Sequence, residues 1–314
     1  MIAVVSVSGG KDSTATLLLA LERLPKASIF PAFADTGNEH EMTYAYVRRL
    51  AEFTGLDIKW VKADFTEAWW HLRDYVRDAW PLPSPKKKTF PEGVPPEIVA
   101  RVLAVFERGP TGNPYLDLCI IKGRFPSRKA QFCTDELKKK PLNEYINNLV
   151  AEHGAVESWQ GVRADESESR AKLVERERDG ELFEIYRPIL KWNVGMVFDQ
   201  HKKHGIEPNP LYKLGMGRVG CMPCINAQKG ELLEISKRFP EHIDRIEEWE
   251  RIVSEASKRS NATFFPSPED RGDGQIHKIR DRVLWSRTER GGTNLSLFSD
   301  LEAPTCASRY GLCE

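Results

Sequence analysis

The fold is decided by the stretch Val4-Val5-Ser6-Val7-Ser8-Gly9-Gly10-Lys11-Asp12-Ser13, in which a β-branched run leads through two glycines into an apolar helical pattern. Gly9 and Gly10 can adopt backbone conformations that are closed to other residues, and they leave room for a ligand. The first N–H groups of the following helix have no partner inside the helix and lie at the positive end of its dipole. Because Lys11 adds a positive charge, the stretch predicts a phosphate-binding turn between a strand and a helix.

The spacing of the two glycines excludes two common phosphate-binding motifs. A mononucleotide P-loop has four residues between its glycines and then Gly-Lys-Ser/Thr, and the dinucleotide fingerprint is Gly-x-Gly-x-x-Gly. Residues 8–13 match neither motif. The hexapeptide Ser-Gly-Gly-Lys-Asp-Ser resembles instead the PP-loop of the ATP pyrophosphatases, which hold the β- and γ-phosphates of ATP and release them together as pyrophosphate.

The composition narrows the class of protein. The chain has 314 residues, with 46 Lys and Arg against 46 Asp and Glu, so no overall field draws it to nucleic acid or to a membrane surface. The N-terminus lacks the features of a signal peptide, and no apolar run is long enough to cross a bilayer. We therefore expect a cytoplasmic protein with no membrane partner, whose six cysteines stay reduced and serve in metal binding or catalysis.

Strand and helix patterns alternate along the chain and predict an α/β fold with a parallel sheet of about five strands. The predicted strands cover residues 2–7, 28–34, 57–62, 156–162 and 182–186. The predicted helices cover residues 12–24, 41–53, 96–107, 134–153, 194–204, 231–239 and 241–258, and a further helix with Trp69, Trp70 and Tyr75 is predicted after the third strand. Ligands of such sheets bind beyond the carboxyl ends of the strands, where both the glycine turn and Asp35-Thr36-Gly37 lie.

The organisation of the chain changes twice. Prolines and Lys86-Lys87-Lys88 interrupt the alternating pattern, so we expect an insertion at about 80–115. After residue 207 the chain becomes loop-rich and then helical. We therefore predict a nucleotide-binding domain over residues 1–207 and a smaller, cysteine-bearing helical and irregular region over residues 208–314.

Further motifs extend the resemblance beyond the glycine turn. They are Asp35-Thr36-Gly37, Cys133-Thr134-Asp135-Glu136-Leu137-Lys138-Lys139-Lys140-Pro141-Leu142, Gly161-Val162-Arg163-Ala164-Asp165-Glu166-Ser167 and Gly220-Cys221-Met222-Pro223-Cys224. With them the chain resembles the phosphoadenosine phosphosulfate (PAPS) reductase superfamily over roughly residues 2–230. Among its branches, the chain is most similar to the ATP-dependent iron–sulfur members, typified by the ATP pyrophosphatase of DNA phosphorothioation systems and its phage-encoded relatives. The resemblance implies a PP-loop domain of the adenine nucleotide alpha hydrolase-like, Rossmann-like class.

The resemblance also implies that ATP and Mg²⁺ bind at these motifs. The residues implied for the nucleotide are Ser8, Gly9, Gly10, Lys11, Asp12, Ser13, Asp35, Thr36, Gly37, Gly161, Arg163 and Arg170. Arginine suits a two-pronged contact with phosphate oxygens better than lysine does, which favours Arg163 and Arg170 as phosphate ligands. Catalytic roles are implied for Lys11, Asp12, Cys133 and Arg163.

The cysteines predict a metal site whose ligand set stays open. Cys221 and Cys224 have the spacing of a metal knuckle. One set adds Cys133 and one of Cys306 or Cys313. The other uses Cys221, Cys224, Cys306 and Cys313, and it leaves Cys133, whose thiolate is stabilised by a helix N-terminus, as a sulfur-carrying nucleophile. All-cysteine ligation fits a [4Fe–4S] cluster or zinc, and the resemblance favours the cluster.

Together these features predict an ATP pyrophosphatase that adenylylates an acceptor for iron–sulfur-dependent sulfur transfer. Basic residues between Lys122 and Lys140 favour a nucleic-acid acceptor. The resemblance implies a sulfur donor such as a cysteine desulfurase. One alternative is a PAPS or adenylyl sulfate (sulfonucleotide) reductase, although the chain ends in Tyr-Gly-Leu-Cys-Glu where those enzymes carry Glu-Cys-Gly-Leu-His. The other is a non-catalytic, nucleotide-binding iron–sulfur sensor or scaffold.

Overall fold

The computed structural model describes residues 2–86, 89–179, 183–266, 277–289 and 306–313. The strands are β1 (Ile2–Val7), β2 (Ile29–Asp35), β3 (Lys59–Lys62), β4 (Val156–Trp159), β5 (Arg176–Asp179) and β6 (Phe183–Tyr186). The α-helices are α1 (Lys11–Arg23), α2 (Glu41–Thr54), α3 (Thr66–Ala79), α4 (Pro96–Phe106), α5 (Pro114–Lys122), α6 (Phe132–Thr134), α7 (Lys140–His153), α8 (Glu168–Ala171), α9 (Val194–Lys203), α10 (Lys229–Arg238), α11 (Pro240–Ala256) and α12 (Ile279–Ser286). Of the helices in these ranges, none has the length and apolar character that a membrane crossing requires.

The strands form one mostly parallel sheet in the order β3-β2-β1-β4-β6-β5. All neighbouring pairs are parallel except β5 with β6. In register, Val5 of β1 pairs with Pro31 of β2 on one side and with Trp159 of β4 on the other. The carboxyl ends of these three strands therefore meet at one edge of the sheet, and the predicted α/β fold class is confirmed.

The edge strand β5 is the one strand in the described sheet that the sequence analysis does not predict. Its sequence, Arg-Glu-Arg-Asp, contains no apolar residue and so carries no alternating pattern. The strand pairs along β6 through its backbone. Charged side chains add to this pairing, since Glu177 lies 2.8 Å from Arg187 and the guanidinium of Arg176 lies 3.9 Å from the ring centre of Tyr186. An edge position tolerates such residues because it is not buried on both sides.

Helix α1 is buried along most of its length because it is apolar on two faces. Leu17 and Leu18 belong to the main hydrophobic core, together with Val5 of β1 and Phe33 of β2. Ala15 and Leu19 face the other way and pack against Val197 of α9. This double packing fixes the N-terminus of α1, and with it the glycine turn, at the carboxyl end of β1.

The chain divides into two compact units. The first consists of Met1–Lys62, Glu136–Met222 and Pro304–Glu314 and contains the sheet, and the second consists of Ala63–Asp135 and Pro223–Ala303. In the second unit α11 packs against both α4 and α5, and the ring of Trp249 lies 5.6 Å from that of Tyr115. The predicted insertion and the C-terminal helices thus share one core. This division differs from the predicted boundary after residue 207, because burial of the apolar faces of α4 and α5 requires helices from the C-terminal part of the chain.

Residues 134–153, predicted as a helix with Thr134 as its N-cap and Pro141 as a point of interruption, form three segments. Thr134 is instead the last residue of the short α6. Residues Asp135–Lys139 are π-helical, and α7 begins at Lys140 with Pro141 in its first turn. Proline accounts for the break, because it has no N–H to donate and its ring fits only in the first turn of a helix.

Glu22 near the end of α1 ties this helix to α9 and the residue that follows it. A carboxylate oxygen of Glu22 lies 2.7 Å from Lys203 Nζ, lies 2.7 Å from His204 Nε2 and accepts a hydrogen bond of 3.0 Å from Gln200. These partners, Lys203 foremost, lower the pKa of Glu22 to about 2. Since the folded pKa lies below the unfolded value, the contact stabilises the protein at higher pH, and this stabilisation is lost as the pH falls from about 4.5 towards 2.

Glu22→Gln is expected to lower the free energy of unfolding by about 1 kcal/mol near neutral pH, since solvent screens a surface ion pair. The difference from the wild type should shrink as the pH falls towards 2 and disappear below it, where the carboxyl is protonated in both states. Urea unfolding at neutral and acidic pH measures both values. Glu52→Gln is the control, because Glu52 is exposed on α2 and takes part in no ion pair within the described chain. A Glu22→Gln effect that stayed constant across this pH range would contradict the assignment.

Candidate functional site

The turn from Ser8 to Ser13 joins β1 to α1 and requires glycine at its second position. Gly9 has a φ of +71°, in the left-handed region that other residues rarely adopt. A Cβ atom at this position would lie 3.0 Å from Thr43 Cγ2 and 3.3 Å from Val47 Cγ2. The glycine therefore allows the turn to lie directly against α2, whereas the sequence analysis expects the missing side chain to leave room for a ligand.

Hydrogen bonds inside the turn leave part of its backbone available. Ser13 Oγ accepts from the N–H of Ser8 and donates to the carbonyl of Gly10, both at 3.0 Å, which closes the turn. Within the described chain, the backbone N–H groups of Gly9, Asp12 and Ser13 make no hydrogen bond. Those of Asp12 and Ser13 belong to the first turn of α1, at the positive end of its dipole. Such donors suit an anion.

Three side chains from distant parts of the sequence fix the first turn of α1, and sequence analysis does not find them. Tyr212 Oη accepts a hydrogen bond of 2.9 Å from the N–H of Lys11. The sequence analysis expects the first N–H groups of α1 to be open to a ligand, and for Lys11 this expectation is not met. His201 Nε2 lies 2.9 Å from the carbonyl oxygen of Lys11, and Asn209 Nδ2 donates to the carbonyl of Gly9 at 3.2 Å. Asn209 and Tyr212 lie in a segment predicted as plain loop, where no periodic pattern marks them.

Burial determines the protonation of two of these side chains. His201 is almost fully buried, and this burial lowers the pKa of its imidazole. The neutral ring carries its proton on Nε2, because the Lys11 carbonyl oxygen can only accept. Burial likewise raises the pKa of Tyr212 well above its usual range, so its hydroxyl keeps its proton. Both groups are therefore neutral, hydrogen-bonding supports of the turn.

The ammonium group of Lys11 is enclosed by an anion and two aromatic rings. Lys11 is 4 % exposed, and its Nζ lies 2.9 Å from Asp12 Oδ2. The ring centres of Tyr212 and Tyr310 lie 5.5 and 5.2 Å from the same nitrogen. The predicted phosphate-binding lysine thus lies at the turn, with Asp12 as its counter-ion in this structure.

Arg163 approaches the same turn from the loop after β4. Its Nε lies 2.5 Å from Asp12 Oδ1, and its Nη1 lies 2.5 and 2.6 Å from the two carboxylate oxygens of Asp165. Burial opposes the charged form of Arg163, but these two carboxylates outweigh burial and raise the pKa of the guanidinium. The structure therefore places the carboxylate of Asp12 between two cations, the ammonium group of Lys11 and the guanidinium group of Arg163.

Gly161 lies against the backbone of α1. A Cβ atom on Gly161 would lie 2.8 Å from the carbonyl carbon and oxygen of Asp12 and 2.8 Å from the nitrogen of Ser13. Only glycine allows this approach, which gives a packing reason for a residue that the sequence analysis assigns to the nucleotide. Arg170, assigned likewise, forms an ion pair with Glu166 on the same loop and is partly exposed.

The Asp35-Thr36-Gly37 motif forms a hydrogen-bonded loop at the end of β2. Asp35 Oδ1 accepts from the N–H of Gly37 at 2.9 Å and from the hydroxyl of Tyr44 at 2.8 Å. The side chain of Thr36 donates to Glu39 at 2.7 Å, and the backbone N–H of Thr36 donates to the same carboxylate at 3.1 Å. Glu39, which the sequence analysis passes over, is buried and is the acceptor that shapes this loop.

Cys221 of the Cys-x-x-Cys motif is held against this loop. Its Sγ lies 3.6 Å from a carboxylate oxygen of Glu39 and 3.4 Å from the hydroxyl of Thr36. The backbone of Cys221 forms an antiparallel bridge with Glu39, and the next residue, Met222, donates its N–H to the carbonyl of Asn38 at 2.6 Å. Cys221 of one predicted motif and Thr36 of the other are therefore in contact within the first unit.

Two of the five predicted metal ligands are bonded to each other. Cys306 and Cys313 form a disulfide, which differs from the expectation that all six cysteines are reduced. While this bond exists, neither sulfur can bind a metal. Of the five cysteines, Cys133, Cys221 and Cys224 lie outside the disulfide, and each is half-buried. The pairing depends on the folded path of the tail, which sequence spacing does not reveal.

The basic stretch between Lys122 and Lys140 is partly engaged with other side chains. In the second unit the guanidinium of Arg124 and the ammonium of Lys122 lie 5.5 and 6.0 Å from the ring centre of Phe132, the neighbour of Cys133. In the first unit Lys140 pairs with Glu136 at 2.6 Å. The remaining basic residues of the predicted patch are Arg128, Lys129, Lys138 and Lys139.

Comparisons with known proteins identify relatives of the chain. The sequence model of the phosphoadenosine phosphosulfate reductase domain matches residues 2–78 and 120–227. An uncharacterised 37.8 kDa protein of Escherichia phage 186 is 44 % identical over 327 aligned positions, which cover 99 % of this chain and 96 % of that protein. A phosphoadenosine 5′-phosphosulfate reductase of Buchnera aphidicola is 24 % identical over 75 % of each chain. The PAPS reductase of Candida auris, solved with phosphate, aligns with a TM-score of 0.41 and 14 % identity over 70 % of this chain and 81 % of that one.

Proposed function

We propose, because this chain belongs to the phosphoadenosine phosphosulfate reductase domain family, that it is a nucleotide-utilising enzyme of the PP-loop type that cleaves ATP between its α- and β-phosphates. In the proposed reaction an acceptor oxygen is adenylylated and then replaced by sulfur. The observation that carries the proposal is the turn of residues 8–13, which presents Lys11 and the N–H groups of Gly9, Asp12 and Ser13, and these three N–H groups have no hydrogen-bond acceptor in the described chain.

The charges around the turn suit a departing pyrophosphate. The β- and γ-phosphates bind the N–H groups of Gly9, Asp12 and Ser13, and they replace Asp12 as the partner of Lys11 and Arg163. An acceptor oxygen attacks the α-phosphorus, the bond to the bridging oxygen breaks, and pyrophosphate leaves with the electron pair. Lys11 and Arg163 neutralise the charge that develops on it. Mg²⁺, which would be held by the carboxylates of Asp12 and Asp35, supplies further charge neutralisation when it is bound.

The second half of the proposed reaction transfers sulfur. The terminal sulfur of a persulfide attacks the acceptor atom that carries the adenylylated oxygen, and AMP leaves. A thiol then cleaves the remaining S–S bond and leaves sulfur on the acceptor. Cys133 suits the carrier role because it lies in the first turn of a helical segment, where a thiolate is stabilised. A sulfur donor such as a cysteine desulfurase would load it.

The cysteines outside the disulfide fit a metal centre by their donor chemistry. Cys221 and Cys224 would contribute to holding a [4Fe–4S] cluster or a zinc ion, and reduction of the disulfide would make Cys306 or Cys313 available as a further ligand. Cys133 would join this set only as the alternative to its role as the sulfur carrier. Such a cluster supplies electron transfer or a sulfur-binding site when present. The contacts of Cys221 with Glu39 and Thr36 orient its sulfur.

A nucleic-acid acceptor is supported by the surroundings of Phe132. Its half-buried ring is flanked by Lys122 and Arg124, a combination that suits a base stacked on the ring and phosphates paired with the two cations. Phe132 also adjoins Cys133 in sequence. The acceptor would thus be bound beside the proposed sulfur carrier.

A second candidate function is reduction of a sulfonucleotide, and the Cys306–Cys313 pair favours it. Two thiols supply the two electrons for release of sulfite, since a sulfonucleotide and two thiols yield the nucleotide, bisulfite and one disulfide. Relatives named as PAPS reductases match this chain, and the pair lies in the same unit as Lys11. The tail nevertheless lacks the Glu-Cys-Gly-Leu-His sequence of those enzymes.

A product assay on the anaerobically purified protein separates these functions. The protein is incubated with ATP and Mg²⁺ in the presence of plasmid DNA or total RNA, and in parallel with PAPS or adenylyl sulfate and dithiothreitol. We expect pyrophosphate from ATP and no sulfite. Sulfite without pyrophosphate would instead establish the reductase, and absence of both products would leave a nucleotide-binding sensor or scaffold.

A further inference from the structure

We propose that the Cys306–Cys313 disulfide is a redox-controlled closure of the phosphate-binding turn. When it is formed, the tail loop (residues 306–313) holds Tyr310 against Lys11 and weakens binding of a nucleoside triphosphate. When it is reduced, Tyr310 leaves and Lys11 becomes accessible. The consequence for binding rests on the proposed function, whereas the closure itself rests only on contacts within the first unit.

The tail loop is anchored to the segment before the Cys-x-x-Cys motif. The N–H of Ala307 donates to the carbonyl of Lys213 at 2.8 Å. The hydroxyl of Tyr310 donates to the carbonyl of Gly217 at 2.5 Å. The guanidinium of Arg309 lies over the same glycine, where a Cβ atom would be 3.1 Å from Arg309 Nη1. These contacts fix the loop at both its beginning and its middle.

Aromatic packing carries the ring of Tyr310 to the turn. The ring centre of Tyr310 lies 5.4 Å from that of Phe198 on α9 and 5.7 Å from that of Tyr212. Tyr212 in turn accepts the hydrogen bond from the N–H of Lys11. The tail loop thus adds the outermost ring to a cluster that already supports the start of α1.

Tyr310 lies where a phosphate would have to approach Lys11. The ammonium nitrogen is 5.2 Å from the ring centre of Tyr310, and Lys11 as a whole is 4 % exposed. A phosphate oxygen that pairs with this nitrogen must replace Asp12 and also displace the ring. Since a desolvated cation–π contact is lost in the process, the closed loop should weaken nucleotide binding about three- to tenfold.

The disulfide makes the closed position persistent. It restricts the tail loop to a small ring, whereas the open dithiol form has many more conformations. Oxidation joins the two thiols and passes two electrons and two protons to a low-molecular-weight disulfide such as oxidised glutathione, which becomes two thiols. A dithiol reductant reverses the exchange. The occupancy of the closed position therefore follows the thiol–disulfide balance around the protein.

Acetylation of lysines tests the closure without any nucleotide. The full chain is treated with a low concentration of an acetylating reagent after oxidation with oxidised glutathione or reduction with dithiothreitol, and each lysine is followed by mass spectrometry. We expect reduction to speed acetylation of Lys11 about three- to tenfold and to leave Lys59 unchanged. Lys59 is the internal control because it is exposed on β3.

Variants and ATP binding complete the test. Cys306→Ser/Cys313→Ser and Tyr310→Ala should each resemble the reduced wild type under both conditions, in acetylation of Lys11 and in affinity for ATP by titration calorimetry. Leu312→Ala, a change in the same loop, should keep the redox response. If the double variant does not fold, the reduced wild type gives the same comparison.

Two results would overturn the inference. One is an acetylation rate of Lys11 that is the same in oxidised and reduced wild type. The other is a metal content that rises on reduction and falls in the double variant, while Lys11 stays protected from acetylation in every form. This result would mean that the two cysteines are metal ligands and do not control the closure. Failure of every form to bind ATP would count against the proposed function alone, because acetylation still decides the closure.

Discussion

Lys11→Ala is expected to reduce pyrophosphate release from ATP by about 10²- to 10³-fold, the effect of removing one charge that stabilises a transition state in an enclosed site. The lysine is the ammonium group that the structure places at the turn, and no other described lysine shares its position beside Asp12. Fold stability should change less, because Asp12 keeps its ion pair with Arg163. Release of pyrophosphate from ATP and Mg²⁺, measured by a coupled phosphate assay, gives the activity, and a thermal melt gives the stability.

Two matched variants sharpen this result. Lys11→Arg keeps the charge but changes its geometry, so we expect partial activity. Lys59→Ala removes an exposed lysine of β3 and should leave the rate unchanged. Wild-type pyrophosphate release from Lys11→Ala would show that the triphosphate is bound elsewhere.

Gly161→Ala is expected to weaken ATP binding by more than tenfold and to lower the melting temperature. The added methyl group would lie 2.8 Å from backbone atoms of Asp12 and Ser13, and backbone cannot rotate away as a side chain can. The clash should cost about 1–3 kcal/mol and displace the first turn of α1, whose N–H groups are proposed to bind phosphate. Titration calorimetry with ATP and a thermal melt measure the two effects.

Gly195→Ala is the matched control for this substitution. Its methyl group would meet only the side-chain oxygen of Asn193, at 3.1 Å, which caps α9 by accepting from the N–H of Met196, and it would meet no backbone atom of α1. We expect wild-type ATP affinity and only a small change in melting temperature, since the helix preference of alanine over glycine offsets the strain on this cap. If Gly161→Ala bound ATP and melted as the wild type does, the close packing of this loop on α1 would have no part in the site.

Local sequence patterns account for the core strands of the first unit and for its phosphate-binding turn. The strand β1, the helix α1 and the glycines between them were predicted from residues that are neighbours in sequence. The same holds for α2, which is predicted over residues 41–53 and forms over Glu41–Thr54, with Gly55 in the left-handed conformation at its end. In each case the preference lies in the backbone and side chains of a short segment, so a single sequence suffices to detect it.

Long-range packing decided the division into units and the contacts that support the motifs of the site. Glu39 shapes the loop at the end of β2 and contacts Cys221, which is 182 positions away in the chain. The tail likewise packs on distant residues, since Tyr310 donates to the carbonyl of Gly217, which is 93 positions away in the chain.

The sequence by itself determined that a strand, a two-glycine turn and a helix present Lys11 to an anion, because this depends on conformational preferences within about ten residues. Only the tertiary structure brings Tyr212, which is 201 positions from Lys11, to accept a hydrogen bond from the backbone N–H of Lys11. It also places the ring of Tyr310 over the ammonium group of Lys11. Contacts of this kind depend on how all the elements pack together, and a residue that makes them looks in sequence like any other loop tyrosine.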